Sequence, residues 1–238
     1  MSTKEIKPKE SFFSSFKKDM KDPKRRVIYT YSGSINLAYN FIGQFVSTVT
    51  NIFLTDVAQV GVIMAGGMQI IQSFIKMAVA PLTGTAFDKQ PFKKGKYYPW
   101  LRYAPAALAL LYGIFFITPL MNINKAMLLP LLTALLLIAS CAQQAVFTLI
   151  YAIYPVVVQT PEDRVLGSTT TNIFKEVGKF IVGLAYPLLL VFFSKNLGSE
   201  GMGYLGTYLL FAVGCLLVFW FSSCEIKKSG AEDIDISK

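Results

Sequence analysis

Four charged side chains stand in stretches that are otherwise apolar: Lys76, Lys175, Glu176 and Lys179. A charge inside hydrocarbon costs about 2.5–3.5 kcal/mol on insertion scales, so such groups face a cavity or a partner. Lys175 and Lys179 are four residues apart and share a helical face. Glu176 and Lys179 are three apart, within pairing reach. Lys175 lies close enough to the start of its stretch to snorkel to the interface, whereas Lys179 is deeper. Lys76 is distant from both ends of its stretch, which favours a functional amine over a snorkelling one. These groups suit recognition of an anion rather than catalysis. The chain has no histidine, and no nucleophile–base or metal-ligand constellation accompanies the lysines, so the pattern points away from an enzyme.

A second candidate set is uncharged. Asn36, Asn40, Gln44 and Thr48 recur every four residues, so on a helix they form one slowly drifting stripe. Unpaired polar groups are costly in hydrocarbon, and the stripe therefore faces protein or a water-filled cavity. Helix–helix hydrogen bonding and a solute pathway would both use it. Gln143 and Gln144 sit mid-way along another apolar stretch, with Tyr151 two turns beyond. Asn36, Asn40, Gln44, Lys76, Gln144, Tyr151 and Lys179 together make the candidate substrate pathway. Nothing in the pattern requires a cofactor. The three cysteines, Cys141, Cys215 and Cys224, fit neither a disulfide framework nor a zinc site.

The elements that position these residues are membrane helices. The 238-residue chain is 53% hydrophobic with mean hydropathy +0.48, and its apolar residues come in long blocks. A bilayer core needs about 20 apolar residues per helix, and a soluble chain this short could not bury so many helices that are apolar all round. The expected class is all-α, a polytopic membrane protein of six spans. They run at about 27–55, 60–86, 101–120, 127–158, 170–193 and 204–223, so that a bundle over 27–224 follows a basic leader, 1–26, and precedes a polar tail, 225–238. The stretch 159–168 reads as a polar inner loop and 194–203 as a glycine-rich outer one.

The net charge of +9 is placed unevenly. Lys17, Lys18, Lys21, Lys24, Arg25 and Arg26 precede the first span, and Lys89, Lys93, Lys94, Lys96 and Arg102 follow the second. That is the distribution left by retention of basic loops in the cytoplasm, and it argues against a nucleic-acid partner. Six is an even number, so both termini are expected on the cytoplasmic side, with the bacterial inner membrane as the location. Phe12, Phe13 and Phe16 suit either a short helix on the membrane surface or a disordered leader.

The loop after the second span reads Gly84-Thr-Ala-Phe-Asp88-Lys89 and then Gly95-Lys96-Tyr97-Tyr98-Pro99-Trp100. This resembles the signature between helices 2 and 3 of major facilitator transporters. Its Gly-Lys-Tyr-Tyr-Pro-Trp ending is similar to that of the glycoside–pentoside–hexuronide:cation symporters. Thr55-Asp56 and Ala80-Pro81-Leu82-Thr83-Gly84 fit the same pattern, and the resemblance covers about Tyr31 to Phe193. It implies alternating access between two six-helix bundles around a midplane site, with Asp88 and Lys89 as the gate.

The departures from that family are informative. Its cation site would use two aspartates on helix 2, where this chain has Lys76 and Ala80. Its sugar-binding acid falls at Asn40, its helix 4 acid near Phe147, and its helix 5 arginine at Asn172. Sodium- or proton-coupled sugar transport is thereby put in doubt. Lys76 would either replace the bound cation or hold an anionic substrate group. The resulting expectation is half of a two-bundle transporter for a small polar solute, an anionic one being favoured by the intramembrane lysines. Its partner would be a second six-helix bundle, with a heterodimer preferred to a homodimer because symmetry would double the like charge. A piece of a longer transporter is a further possibility. The alternative function is a non-transporting membrane subunit that stabilises or regulates another protein. A lipid-handling variant would use an opening lined by Phe147, Phe174 and Phe180.

Overall fold

The computed structural model describes residues 20–89, 98–121 and 123–228. The leader aromatics Phe12, Phe13 and Phe16, the loop residues 90–97 and the end of the tail lie outside them. The described residues are helical with no strand. Five helices are long and apolar enough to cross a membrane, where the sequence predicts six spans. These are α3 (Val62–Lys89), α4 (Tyr98–Ile117), α5 (Lys125–Val157), α6 (Pro161–Leu197) and α7 (Glu200–Lys228).

The remaining predicted span is a composite rod. Helix α1 (Pro23–Tyr29) passes into a π segment, Thr30–Ile35, then α2 (Asn36–Ile52), then a second π segment, Phe53–Val57. The junction residues all keep right-handed helical dihedrals, so the rod continues while its hydrogen-bond ladder changes. Its longest regular α segment is 17 residues, at the lower limit of what spans a bilayer. The interruption removes it from the five. Single π turns inside helices are typical of functional positions.

Element ends depart from the sequence expectation in three places. Of the stretch 159–168, residues 161–168 are the start of α6 rather than a loop. Thr160 caps it by accepting from the Asp163 N–H at 3.1 Å, Pro161 opens it, and Glu162 and Asp163 lie in its first turn. Each of these favours a helix N-terminus, and together they override the local polarity. The glycine-rich turn shrinks to Gly198 and Ser199, with Gly198 at φ 77° ending α6. Only glycine adopts that left-handed conformation without strain. Finally, α3 continues through Asp88 and Lys89, and α7 runs on to Lys228.

The five long helices pack in the series α3–α5–α4–α7–α6, with α2 set against α6 and α7. Hydrophobic transfer does not drive such packing in lipid, because the alternative solvent is equally apolar; close contact and interhelical hydrogen bonds do. The core is accordingly aromatic. The Phe45 ring meets Phe116 at 5.7 Å and Phe211 at 5.6 Å, and Phe53 meets Phe116 at 4.8 Å, edge to face. Such pairs contribute about 0.5–1.5 kcal/mol each beyond area burial. Buried hydroxyls lock the helices: Tyr208 donates to the Ala109 carbonyl at 2.7 Å and Tyr31 to the Ile150 carbonyl. Helices α3 and α6, at the two ends of the series, are the least buried of the five.

Candidate solute-binding face

Helix register places the predicted residues at one depth. Between α3 and α5, Gln72 Nε2 donates to Ser140 Oγ at 2.6 Å, and a Cβ on Gly84 would lie 4.0 Å from Thr148. These contacts set α3 and α5 parallel, so Lys76 is level with the Ser140–Thr148 stretch that carries Gln144. Between α2 and α5 the register is antiparallel. The Tyr39 and Phe147 rings lie 6.0 Å apart, and a Cβ on Gly43 would meet Gln143 Nε2 at 3.6 Å. Between α2 and α6, a Cβ on Gly178 would stand 3.1 Å from Asn40 Cβ, which makes Lys179 level with Asn40. Residues from four helices thus share one layer.

The layer is not uniform. Asn36 and Asn40 are buried, each 6% exposed, and their amides are engaged by their own helix. Asn36 Nδ2 donates to the Ser32 carbonyl at 2.9 Å and Asn40 Nδ2 to the Asn36 carbonyl at 2.7 Å. The stripe therefore divides. Its first half packs on α6 at Gly178, while Gln44 is half-buried and donates to Thr48 Oγ1 at 3.1 Å. The adjacent glutamines divide likewise. Gln143 is buried and its Oε1 accepts from the Tyr112 hydroxyl at 3.1 Å, whereas Gln144 is half-buried with Thr148 Oγ1 at 3.4 Å. Tyr151 is 46% exposed and its ring lies 4.6 Å from that of Phe147.

Of the intramembrane charges, Lys179 Nζ pairs with Glu176 Oε1 at 2.7 Å. The pair offsets one positive charge within α6. Lys76 and Lys175 are half-buried and have no carboxylate within pairing distance among the described residues. The gate residues Asp88 and Lys89 form the last turn of α3; their side chains lie outside the described residues. Phe147 packs beside Tyr39, a Cβ on Gly33 would meet the Phe174 ring at 3.1 Å, and Phe180 is 70% exposed. These are three environments rather than one lined opening.

Sequence reasoning left out of the site several polar groups that stand on the surface. Ser47 and Asn51 of α2, Ser73 of α3 and Asn172 of α6 are all exposed. Ser73 lies three residues before Lys76, and Asn172 seven before Lys179, both helical intervals that would have added them to the same faces. With Lys76, Gln144, Glu176 and Lys179 they form a polar surface flanked by lipid-facing residues such as Phe74, Met77, Phe180 and Leu184, each more than half exposed. In a bilayer such a surface needs water or protein against it.

Comparison with known proteins follows the same lines. Residues 31–234 match the family described as MFS/sugar transport protein. The chain is 25% identical over 192 residues to the uncharacterized symporter YnaJ of Bacillus subtilis (strain 168), covering 80% of this chain and 41% of that protein. It is 29% identical over 178 residues to the uncharacterized symporter YjmB of the same organism, covering 72% and 36%. The chain thus spans about two fifths of the length of these curated relatives.

Proposed function

The chain belongs to the MFS/sugar transport protein family, and from that premise we propose that its bundle is one half of a two-bundle transporter for a small polar, anionic solute. One observation carries this reading: Lys76, Gln144 and Lys179 lie at one depth on three helices, with Lys76 and Lys175 lacking a carboxylate among the described residues. A second six-helix bundle laid on that surface would enclose an aqueous cavity at mid-membrane. Rocking of the two bundles would expose it to either side in turn. Lys76 occupies the position where related symporters hold a cation, so its amine supplies a fixed positive charge and transport is uncoupled from sodium. The excess of lysines favours a carboxylated sugar over a neutral one. Asp88 and Lys89, closing α3, serve the inner gate.

The second bundle is supplied by a different chain, or by a continuation of this one, rather than by a second copy, since twofold symmetry would bring four lysines together. Both ends of the bundle face the cytoplasm of a bacterial cell, because Arg26 and Arg102 stand at one end of it and the sequence after α3 is basic. Mass measurement of the intact particle in mild detergent separates these arrangements. A distinct second chain supports the heterodimer, and a twofold mass the homodimer.

Uptake tests the site. Proteoliposomes carrying the assembled protein should accumulate labelled hexuronate in preference to neutral hexose, without a sodium gradient. Uptake unchanged by combined Lys76→Ala and Lys179→Ala would remove the proposed site.

The engaged amides of Asn36 and Asn40 favour a second reading, a non-transporting subunit, since these side chains offer a solute little. That reading predicts loss of a partner's abundance on removing this chain, with uptake untouched by substitutions at Lys76.

A further inference from the structure

The back of the bundle, between α4 and α7, carries a feature unrelated to the polar surface. A groove of about 290 Å³ is lined by Arg102, Tyr103, Ala106, Leu216, Phe219 and Trp220. The Arg102 guanidinium carbon lies 4.1 Å from the centroid of the Trp220 ring. Trp220 is 57% exposed and Tyr103 68% exposed. Both walls belong to helices long and apolar enough to cross a membrane, so the groove opens sideways toward lipid.

Its depth is fixed by its neighbours. Arg102 is near the start of α4 and Trp220 near the end of α7. Glu225, just beyond Trp220, pairs with Arg26 at the head of the bundle. The groove therefore sits at the membrane boundary on the side where α3 ends and α4 begins. Tryptophan and tyrosine prefer that level, where their rings meet both acyl chain and headgroup.

A guanidinium over an indole face, at the headgroup level, presents a flat cation whose N–H edges suit a phosphodiester. Below it Ala106 and Leu216, each one helical turn further in than Arg102 and Trp220, offer an apolar floor deeper in the membrane. Charge above and hydrocarbon below match one molecule that surrounds any bilayer protein, an anionic phospholipid. Basic pockets between membrane helices on the cytoplasmic side bind such headgroups. We propose that this groove is a binding site for an anionic glycerophospholipid of the adjacent leaflet, its phosphate on Arg102 and one acyl chain along Ala106 and Leu216.

The test uses the full chain in phosphatidylcholine nanodiscs containing a minority of phosphatidylglycerol. Native mass spectrometry should show phosphatidylglycerol enriched on the protein by about fivefold, the factor one arginine supplies at a membrane surface. The enrichment should fall to near unity in Arg102→Gln and partly recover in Arg102→Lys. Enrichment retained in Arg102→Gln overturns the proposal. If that variant is not recovered folded, fluorescence decides. The chain has two tryptophans, so Trp100→Phe leaves Trp220 as the sole reporter. Brominated phosphatidylglycerol should quench it more strongly than brominated phosphatidylcholine at equal mole fraction. Equal quenching overturns the site, and so does a loss of quenching by both lipids, which would mean that protein covers the groove.

Discussion

Arg26 and Glu225 are 199 positions apart in sequence and 3.3 Å apart in space. The pair joins α1 to the last turns of α7 and brings the two ends of the bundle to one side of it. That is the spatial form of an even number of helical rods. Arg26 is half exposed and Glu225 more sheltered, so the pair fixes topology more than stability. An ion pair of this exposure contributes roughly 0–1 kcal/mol.

In a cysteine-free background, Arg26→Cys with Glu225→Cys should be joined by a short thiol crosslinker. After proteolytic cleavage of the 90–97 loop, the two fragments should stay linked on a denaturing gel. Separate fragments would mean that the ends of the bundle are not adjacent.

Helix α6 approaches α2 closely at Gly178, where a Cβ would meet Asn40 Cβ at 3.1 Å and the Leu37 carbonyl oxygen at 3.2 Å. Gly178→Val should lower stability by about 1–3 kcal/mol through overpacking, read as a fall in thermal midpoint in detergent. Gly183, one turn further, has nothing within 4 Å, and Gly183→Ala should be neutral or slightly stabilising. Equal effects at both would contradict the close approach.

Tyr112→Phe leaves the buried Gln143 Oε1 without its donor, at a cost of about 1–3 kcal/mol. Adding Gln143→Leu should recover only part of the loss, because the Tyr39 hydroxyl also bonds Gln143 and is then left alone. A double variant as unstable as the sum of the singles would mean that the Tyr112–Gln143 bond contributes nothing.

Accessibility distinguishes the polar surface from the core. Ser47→Cys, Ser73→Cys and Asn172→Cys should react with a water-soluble maleimide in membranes carrying the bundle alone. Thr207→Cys, whose parent side chain is fully buried, should not. Binding of a second bundle should protect the first three, and protection of none would place that bundle elsewhere.

Glu176→Gln removes the partner of Lys179. An anionic solute should then bind more tightly, since the lysine no longer has an internal carboxylate, and its KM in uptake should fall. A raised KM would assign the carboxylate, rather than the amine, to the solute.

The membrane class was legible in the sequence because long apolar blocks have one physical outcome in so short a chain. Most helix positions followed from the same blocks, as did the transport family from Asp88-Lys89 and Gly95–Trp100. Element ends were less legible. Thr160 and Pro161 outweighed the polarity of the residues after them, and the first rod changed its hydrogen-bond ladder without any change in hydropathy.

The site was legible only as residue types. Periodicity assigned Asn36, Asn40 and Gln44 to one stripe, yet it could not show that two of them spend their amides on carbonyls one turn back. Nor could it separate Gln143, buried and bonded to Tyr112, from Gln144, half-buried beside Thr148. The common depth of Lys76, Gln144 and Lys179 depends on contacts at Ser140, Thr148 and Asn40, on helices remote in sequence. A sequence fixes each helix's own faces through its 3.6-residue period. Only packing fixes how far one helix slides along the next, and that sliding decides which side chains meet.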